Sequence, residues 1–324
     1  MGTYAVGFAK WLLVVVVLYA SCAWSQGYPS KPIKLVVPLA PGGGNDILAR
    51  TIAQPLQQQL HQPVVIENRS GAGGNVGTEF VARAPADGYT LLLISNAQVM
   101  NPWLYKQLPF DIIRDFNPVA LLATLPMLVM THPSVPVTSI AELVAYARAN
   151  PQKLSYASPG VGTPHHLATE LFKKRTGIDM VHVPYKGGAP AVTALVTGEV
   201  QVTFAVLATA MPYVNAGKLR ALATAEAKRI PMLPELPTVA EAGLEGFSVT
   251  PWLGIIAPAG TPAGIVTRLS EETRRLLELA EIRDRLSVQG MVIAYHNPEE
   301  FRSVIAADYE KWGKLIREFG VTTE

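Results

Sequence analysis

From residue 30 to the end of the chain, short apolar runs alternate with segments of helical periodicity. The runs are rich in leucine and branched residues and are bounded by Gly, Pro or Asn, as buried strands of parallel sheets are. Strands that alternate with helices build layered α/β folds, so the pattern predicts mainly parallel sheets covered by helices. The predicted strands are Ile33–Val37, Val64–Glu67, Thr90–Ser95, Leu154–Ala157, Met180–Val183, Val200–Ala205, Leu219–Thr224, Leu253–Ala257 and Met291–Tyr295.

Three helices are marked by signals at their ends. A capping-box spacing at residues 139–142 predicts a helix that runs to Ala149. A second box at residues 297–300, with Pro at the first helical position, predicts the start of the last helix. The run Pro262–Val288 is amphipathic, and we predict that it forms one long helix.

Two extended segments divide the chain into an outer pair of regions and an inner region. Residues 125–137 and 246–258 are predicted to cross between two lobes. One lobe then takes residues 26–128 and 252–324, and the other takes residues 129–251. Two lobes joined by two strands are the usual plan of a hinged ligand-binding protein, and we expect the ligand between the lobes.

The N-terminal residues 1–25 have the features of a cleavable secretory signal. Lys10 precedes the apolar run WLLVVVVLYA at residues 11–20, and small residues follow it. The run is too short for an ordinary membrane span. We therefore predict cleavage near Ser25 and export to the periplasm, with a buried N-terminal helix as the alternative.

Composition narrows the function classes. The net charge is only +2, whereas nucleic-acid binding usually demands a strongly basic face. We therefore predict no nucleic-acid partner. Cys22 is the only cysteine; it stands in LYASC, which loosely resembles a lipid-attachment box, but Tyr19 occupies a position where such boxes prefer a small aliphatic residue. We therefore predict a mature chain without a lipid anchor or disulfides, which suits the periplasm, with lipid attachment at Cys22 as the alternative. A monomer is predicted.

Three glycine-rich turns each follow a strand and precede a helix. They span Pro41–Asp46, Ser70–Gly77 and Ala157–His165. Glycine permits close backbone approach, and a helix N-terminus presents free N–H groups and the positive end of its dipole to an anion. A single turn of this kind is more often only a tight connection. Three together predict a carboxylate site built from backbone amides, and Asp46 is predicted to order its loop rather than to act as an acid catalyst.

Motifs for other kinds of site are absent or incomplete. The sequence contains neither G-x-x-x-x-G-K-[ST] nor G-x-S-x-G. The Gly71–Gly77 spacing is one residue longer than the common dinucleotide fingerprint, which leaves a Rossmann-type site as a weak alternative. His166 and Glu170 share a helix face and would need His182 to complete a metal site, but the ligand spacing is not met. We predict no metal, no cofactor and no catalytic residue.

The sequence resembles the Bug receptors, the TctC-like periplasmic solute-binding proteins of tripartite tricarboxylate transporters. The resemblance covers nearly the whole mature chain in order. It is carried by YPSKPIKLVVPLAPGGGNDILAR (28–50), ENRSGAGGNVGTEFVARAPADGYTLL (67–92), NPWLYKQLPFDIIRDFNPVALLA (101–123), HVPYKGGAPAVTALVTGEV (182–200), AGKLRALAT (216–224) and LPELPTVAEAG (233–243).

The resemblance implies a type II periplasmic-binding fold that closes over a small carboxylate and delivers it to a membrane permease. It implies no enzymatic activity; a secreted α/β hydrolase or metal-dependent enzyme, and a ligand-dependent partner of a membrane sensor ectodomain, are the alternatives. The positions that match the family's binding turns, completed by Asn96 and Ala205, are Gly42, Gly43, Gly44, Asn45, Gly73, Gly74, Asn75, Asn96, Ser158, Gly160, Gly162, Thr163, His165 and Ala205.

Two positions depart from the family pattern. Asn45 stands where the family commonly has Thr or Ser, which keeps a polar side chain. Ala205 follows Phe204 where members often carry Asp. A buried ammonium group needs an acceptor or an anion nearby. The absence of that Asp therefore favours a plain carboxylate ligand over an amino acid.

Overall fold

The computed structural model describes residues 27–322, which form two β-sheets with helices around them. The first sheet has the strand order β11-β4-β10-β3-β1-β2. Its strands are β1 Ile33–Val37, β2 Val64–Asn68, β3 Thr90–Ser95, β4 Phe116–Thr124, β10 Trp252–Pro258 and β11 Val292–His296. The two-sheet α/β prediction is confirmed.

The second sheet is formed by the inner part of the chain and has the order β7-β6-β8-β5-β9. Its strands are β5 Met127–Thr131, β6 Ser155–Ser158, β7 Val181–Pro184, β8 Val202–Val206 and β9 Arg220–Thr224. The helices are α1 Gly44–Leu60, α2 Asn75–Ala82, α3 Asn96–Leu104, α4 Ile140–Ala149, α5 Pro164–Thr176, α6 Gly188–Val196, α7 Leu207–Asn215, α8 Ala263–Leu277, α9 Ala280–Val288 and α10 Pro298–Phe319.

Both sheets are mixed rather than mainly parallel. Four of the strand pairings are parallel and five are antiparallel. The antiparallel pairings all involve β5 or β10, the strands nearest the crossings, or the pair β4–β11. A chain that leaves one sheet for the other and returns must reverse direction there, whereas βαβ units keep β1, β2 and β3 parallel.

Two further predictions need correction. The run Pro262–Val288 is two helices, because Glu278 ends α8 and Leu279 takes an extended conformation (φ −67°, ψ 127°) before α9 begins. This break lets Leu276 and Ile282 both reach the apolar core. The Ser139 cap is confirmed by a bond from the Glu142 N–H, but the Glu142 carboxylate accepts from the Thr138 N–H rather than from Ser139.

The box that opens the last helix is confirmed in both directions. The Asn297 side chain accepts from the Glu300 N–H, and the Glu300 carboxylate accepts from the Asn297 N–H. The resulting helix α10 packs along both sheets. Phe301 lies in the apolar cluster of the first sheet, whereas Trp312 lies in a cluster that contains Phe204 of the second.

The chain passes between the sheets at two neighbouring places. Residues 125–126 lead from β4 to β5, and residues 225–251 lead from β9 back to β10. The two segments touch where the Leu125 N–H donates to the Pro251 carbonyl at 2.8 Å. The predicted lobe boundaries at 128/129 and 251/252 stay predictions. The predicted signal segment and Cys22 lie outside the described residues. Within residues 27–322, no helix combines the length and the apolar character of a membrane span.

Candidate functional site

The C-terminal ends of three neighbouring strands meet at one edge of the first sheet. The strands β2, β1 and β3 are parallel and adjacent, and each leads into a helix. The N-termini of α1, α2 and α3 therefore lie at the same edge. Because each N-terminus leaves backbone donors unpaired by its own helix, this edge concentrates hydrogen-bond donors and positive dipole ends.

The first turn is held by Asp46, as predicted. The Asp46 carboxylate accepts from the Gly42 N–H at 3.0 Å, from the Arg50 Nε at 2.9 Å and from the Asn68 Nδ2 at 3.0 Å. The bond from Arg50, followed by those from Gly42 and Asn68, lowers the pKa of Asp46 to about 2 although burial opposes the shift. The side chain is therefore a carboxylate that fixes the loop.

This brace divides the predicted residues of the turn into two groups. The Gly42 amide is occupied by Asp46. The N–H groups of Gly43, Gly44 and Asn45 make no hydrogen bond to any residue between 27 and 322. Gly43 has φ −82° and ψ 170°, and a Cβ placed there would find only the Ala40 carbonyl oxygen, at 3.8 Å. The backbone beside Gly43 is thus open.

The second turn is tied to α3. The Gly73 carbonyl accepts from the Gln98 Nε2 at 3.2 Å and from the Asn101 Nδ2 at 3.1 Å, and the Asn75 Oδ1 also accepts from Asn101 at 2.6 Å. Gly74 has φ +96°, and a Cβ there would lie 2.5 Å from the Gln98 amide nitrogen. Close packing against α3 is why glycine stands at this position.

Two asparagines at the edge carry buried polar atoms without a partner. Asn45 and Asn96 are 7% and 1% exposed. The Asn45 Nδ2 and the Asn96 Oδ1 have no hydrogen-bond partner in the described part of the chain. Buried polar atoms are normally satisfied by protein, water or ligand, so both atoms need a partner that is not a protein group.

The third turn, in the second sheet, joins β6 to α5. Ser158 is fully buried, and its Oγ both accepts from the Gly160 N–H at 3.2 Å and donates to the Gly160 carbonyl at 3.0 Å. Thr163 caps α5 by accepting from the His166 N–H. The Nδ1 of His165, on the first turn of α5, is buried and has no partner in residues 27–322. This turn thus adds a third unpartnered atom to the predicted set.

Two histidines that sequence reasoning weighed as metal ligands instead hold this turn. The His166 Nδ1 accepts from the Gly162 N–H at 3.1 Å, and the His182 Nε2 is 2.7 Å from the Ser158 Oγ. The carboxylate of Glu170 is bonded to the Tyr156 hydroxyl and the Lys173 ammonium. Across the described residues, no three His, Cys, Asp or Glu side chains converge as metal ligands.

The third turn approaches the first sheet through α3. A Cβ on Gly162 would lie 2.8 Å from the Leu104 Cδ1, and Leu104 packs in one apolar cluster with Leu167 and Phe172 of α5. Elements of the two sheets also meet at Gly290, where a Cβ would lie 2.7 Å from the Ala208 backbone nitrogen. The second and third turns therefore both contact α3, and we call the boundary between the two sheets the seam.

Ala205 is the predicted residue that the hydrogen-bonded turns do not include. It is 4% exposed and packs in an apolar cluster with Leu128, Ala157 and Val192. Its methyl group supplies no polar atom to a ligand. Whether it borders the ligand stays a prediction.

Surface cavities bordered by other residues are also present. One of about 610 Å³ is bordered by Arg220 and Leu233, and one of about 370 Å³ is bordered by Pro109 and Tyr309. None of the predicted binding residues lines either cavity. The candidate site is distinguished by its free amides and its unpartnered polar atoms.

Comparison with known proteins identifies the same family by a family model and by similar sequences. The family model of the tripartite tricarboxylate transporter family receptor matches residues 48–321. The protein BugT of Bordetella pertussis is 36% identical over 295 residues, which are 90% of this chain and 90% of BugT.

Two solved structures of Rhodopseudomonas palustris proteins are also similar. Rpa4515, solved with adipate, has a TM-score of 0.81 and 38% identity, and the match covers 91% of this chain and 99% of that one. MatC, solved with bound malate, has a TM-score of 0.76 and 32% identity over 89% of this chain and all of the other.

Proposed function

The chain belongs to the tripartite tricarboxylate transporter receptor family, and from this premise we propose that it captures a small carboxylate between two lobes and delivers it to a membrane transporter. The carboxylate is the whole cargo, and no covalent step is involved. The proposal assigns the ligand to the seam bordered by the three glycine turns.

The free amides at the start of α1 are the observation that carries this proposal. Three consecutive N–H groups, from Gly43 to Asn45, are without acceptors in the described chain, and glycine leaves room for a ligand at the first of them. Carboxylate oxygens accept readily from such amides, and the helix dipole adds a favourable field. Arg50, a cation on the same helix, is already paired with Asp46.

The unpartnered side-chain atoms support a polar ligand at the same place. A ligand or the waters around it would give the Asn45 Nδ2, the Asn96 Oδ1 and the His165 Nδ1 the partners that they lack within the described residues. Asn45 and Asn96 belong to helices of the first sheet, whereas His165 belongs to the second. A ligand that contacts both sets is bound more tightly when the two sheets are close.

Closure of the two lobes is favoured because the ligand makes more contacts when the two sheets are close. The sheets are joined by only two connecting segments, which is the geometry of a hinge. A carboxylate that touches one turn in an open state and all three in a closed state shifts the population towards closure by its differential affinity. The transporter is proposed to recognise that closed, liganded state in the periplasm.

The relatives narrow the ligand class. Rpa4515 was solved with adipate and MatC with malate. Adipate and malate are both small dicarboxylates. We extend this class to the present chain. Ala205, which offers no anion, disfavours ligands with an ammonium group.

A hydrolase is the second candidate, because the 2.7 Å contact between Ser158 and His182 has the distance of a nucleophile and its base. Ser158 is fully buried, however, and its hydroxyl already bridges both backbone groups of Gly160. The pair is therefore better explained as a brace for the turn. Hydrolysis of simple esters that disappears in Ser158→Ala would favour the hydrolase.

A thermal-shift screen of the mature chain tests the proposed function. Adipate, malate and other small carboxylates are each added in excess, and each matching amide or alcohol serves as its control. A ligand present at about a hundred times its Kd stabilises the native state by about 2.7 kcal/mol, which is a readily measured rise in Tm. A flat response to every carboxylate would contradict the proposal.

A further inference from the structure

The third turn contains two glycines in conformations that other residues rarely adopt. Gly160 has φ +144° and Gly162 has φ +74°. Such a turn has many alternatives in an unbraced chain, because glycine is conformationally permissive. Something must select the observed conformation, since amides that bind a ligand must be held in place before the ligand arrives.

Backbone bonds hold the two ends of the turn, where the Tyr185 N–H donates to the Ser158 carbonyl at 2.9 Å and the Gly187 N–H donates to the Pro159 carbonyl at 3.2 Å. The Thr163 N–H donates to the Gly160 carbonyl at 3.4 Å, and the Thr163 hydroxyl donates to the same oxygen at 2.7 Å. The Gly162 N–H and the Ser158 hydroxyl are instead held by side chains, those of His166 and His182. His182 belongs to β7, so it ties the turn to a neighbouring strand.

The two imidazoles also fix each other. The rings of His166 and His182 stack with centroids 4.1 Å apart and an interplanar angle of 15°. The Tyr156 ring is nearly parallel to His182 as well, with centroids 4.7 Å apart. A stacked ring has little freedom to rotate, so each nitrogen is kept pointed at its partner in the turn.

The acceptor role of His166 requires a neutral ring with its proton on Nε2. Burial, followed by the neighbouring His182 and Lys173, lowers the pKa of His166 to about 4, and Glu170 opposes this shift. Burial likewise lowers the pKa of His182, with Glu170 and Lys173 again acting in opposite directions. The Lys173 ammonium is itself paired with Glu170 and Asp179. Both rings are therefore neutral near pH 7.

We propose that His166 and His182 are positioning residues of the third turn, which hold Gly162 and Ser158 so that the turn is formed before ligand arrives. His166 acts through its Nδ1 and His182 through its Nε2. Neither residue contacts the ligand. The link to affinity rests on the proposed function, whereas the hold on the turn does not.

Amide substitutions distinguish this role from packing, because each amide can replace only one imidazole nitrogen. The Asn Oδ1 is separated from Cα by the same bonds as the His Nδ1, and the terminal amide of Gln corresponds in the same way to Nε2. His166→Asn and His182→Gln keep the hydrogen bond, whereas His166→Gln and His182→Asn do not. All four variants lose the ring, so each mismatched variant has a matched control for lost stacking.

Hydrogen exchange of the Gly162 amide, measured by NMR at pH 7 without ligand, tests the hold on the turn. We expect protection in the wild type and in His166→Asn, and at least about tenfold faster exchange in His166→Gln. The ¹⁵N shifts of wild-type His166 should report a neutral ring protonated at Nε2. Equal exchange rates of the Gly162 amide in the two variants would overturn the proposal. A wild-type His166 ring protonated at Nδ1 would also overturn it, and this measurement needs no variant to fold.

Calorimetry with adipate tests the link to affinity. Wild type, His166→Asn and His182→Gln should bind with Kd values within about threefold of one another, and the two mismatched variants about tenfold more weakly. Equal Kd values in matched and mismatched variants would overturn the link. A wild type that binds no carboxylate would contradict the proposed function, and hydrogen exchange would still decide the role of the histidines.

Discussion

Asp46 is a buried residue at the candidate site whose role is fixed by three partners on different segments of the chain. It joins Gly42, Arg50 and Asn68, and so connects the first turn to α1 and β2. Asp46→Ala should destabilise the protein by about 1–3 kcal/mol, because it leaves the Gly42 and Asn68 donors unpaired. Urea unfolding measures the loss.

Arg50→Ala is the control for the ion pair alone. The Arg50 side chain is 57% exposed whereas that of Asp46 is 4% exposed; because Arg50→Ala leaves the Gly42 and Asn68 donors bonded to Asp46, it should cost less than Asp46→Ala. An equal loss in Asp46→Ala and Arg50→Ala would show that the ion pair, rather than the loop, accounts for the effect of Asp46.

The same residue predicts an acid-dependent loss of stability. The folded pKa of Asp46 is about 2, below its ordinary value of 3.8. The stabilisation is therefore complete above the unfolded pKa and is lost as the pH falls towards 2. The difference in unfolding free energy between wild type and Asp46→Ala should shrink between pH 5 and pH 3; a constant difference would contradict this assignment.

Two adjacent glycines separate a binding role from a conformational one. Gly43→Ala is compatible with its backbone and meets no protein atom closer than 3.8 Å, so stability should be unchanged. The added methyl group should block close approach to the amides and weaken carboxylate binding by about tenfold, measured by calorimetry. Gly42→Ala, at φ +85°, should instead destabilise the fold. Unchanged affinity in Gly43→Ala would mean that the first turn is only a connection.

Sequence reasoning located the glycine turns because their signal is local. Three glycines between a strand and a helix are visible in the first turn without knowledge of the fold. The role of His182 is not visible in this way, since its partner Ser158 is 24 residues away on another strand. Sequence reasoning weighed His166, Glu170 and His182 only as an incomplete metal site, because sequence alone cannot show which way stacked rings point.

At the scale of elements, the two connecting segments share a buried carboxyl group. Glu226 is 9% exposed, and it accepts from the Met127 N–H at 3.4 Å and from the Thr250 hydroxyl at 2.5 Å. Met127 follows the first segment and Thr250 belongs to the second. Burial raises the pKa of Glu226 to about 7 from its ordinary value of 4.5, because desolvation outweighs the two hydrogen bonds.

The raised pKa of Glu226 makes the stability of the folded protein depend on pH in a definite direction. A raised folded pKa means that the stability contribution is complete below the unfolded pKa and is lost as the pH rises through about 7. Glu226→Gln keeps the shape and removes the titration. The variant should gain stability relative to wild type, on the order of 2 kcal/mol, between pH 5.5 and pH 8.5. A stability difference between Glu226→Gln and wild type that stays constant over this pH range would contradict the assignment.

The elements that sequence reasoning missed have physical explanations. Strand β4 was not predicted, since Pro118 lies inside it and its pairing partners come from residues 252–296, far along the chain. The break between α8 and α9 was missed because the amphipathic pattern continues across Leu279. Both features depend on tertiary contacts rather than on local preference.

At the scale of the whole molecule, the approach of the two sheets should be adjustable at Gly290. A Cβ there would lie 2.7 Å from the backbone nitrogen of Ala208, which belongs to the second sheet's α7. Gly290→Ala should therefore push the sheets apart, weaken carboxylate binding and increase the radius of gyration measured by small-angle X-ray scattering. Backbone atoms cannot move aside as a flexible side chain does.

Gly260→Ala is the matched control for this experiment. Gly260 also has a positive φ, +83°, but its nearest atom for an added Cβ is the Ala86 Cβ at 3.8 Å, within the first sheet's elements. Both variants carry similar backbone strain, and only Gly290→Ala creates a contact between the sheets. Equal carboxylate affinities and equal radii of gyration in Gly290→Ala and Gly260→Ala would contradict the prediction that Gly290 sets how closely the two sheets approach.

The overall plan was predictable because the chain visits the two sheets in order. The runs at 125–137 and 246–258 were predicted as crossings, and β5 and β10 begin inside them. The contact of α10 with both sheets was not foreseen: Trp312 packs in a cluster with Phe204 of the second sheet, although the helix begins beside the first. A helix that contacts both sheets is a tertiary outcome that no local pattern encodes.

Backbone amides at the glycine turns are proposed to bind a small carboxylate. Isothermal titration calorimetry of the mature chain tests this proposal most directly, with adipate and malate compared against their uncharged amides. We expect saturable binding, with one site per chain, of at least one dicarboxylate, and no binding of its amide. Binding of neither acid, or equal binding of an acid and its amide, would contradict it.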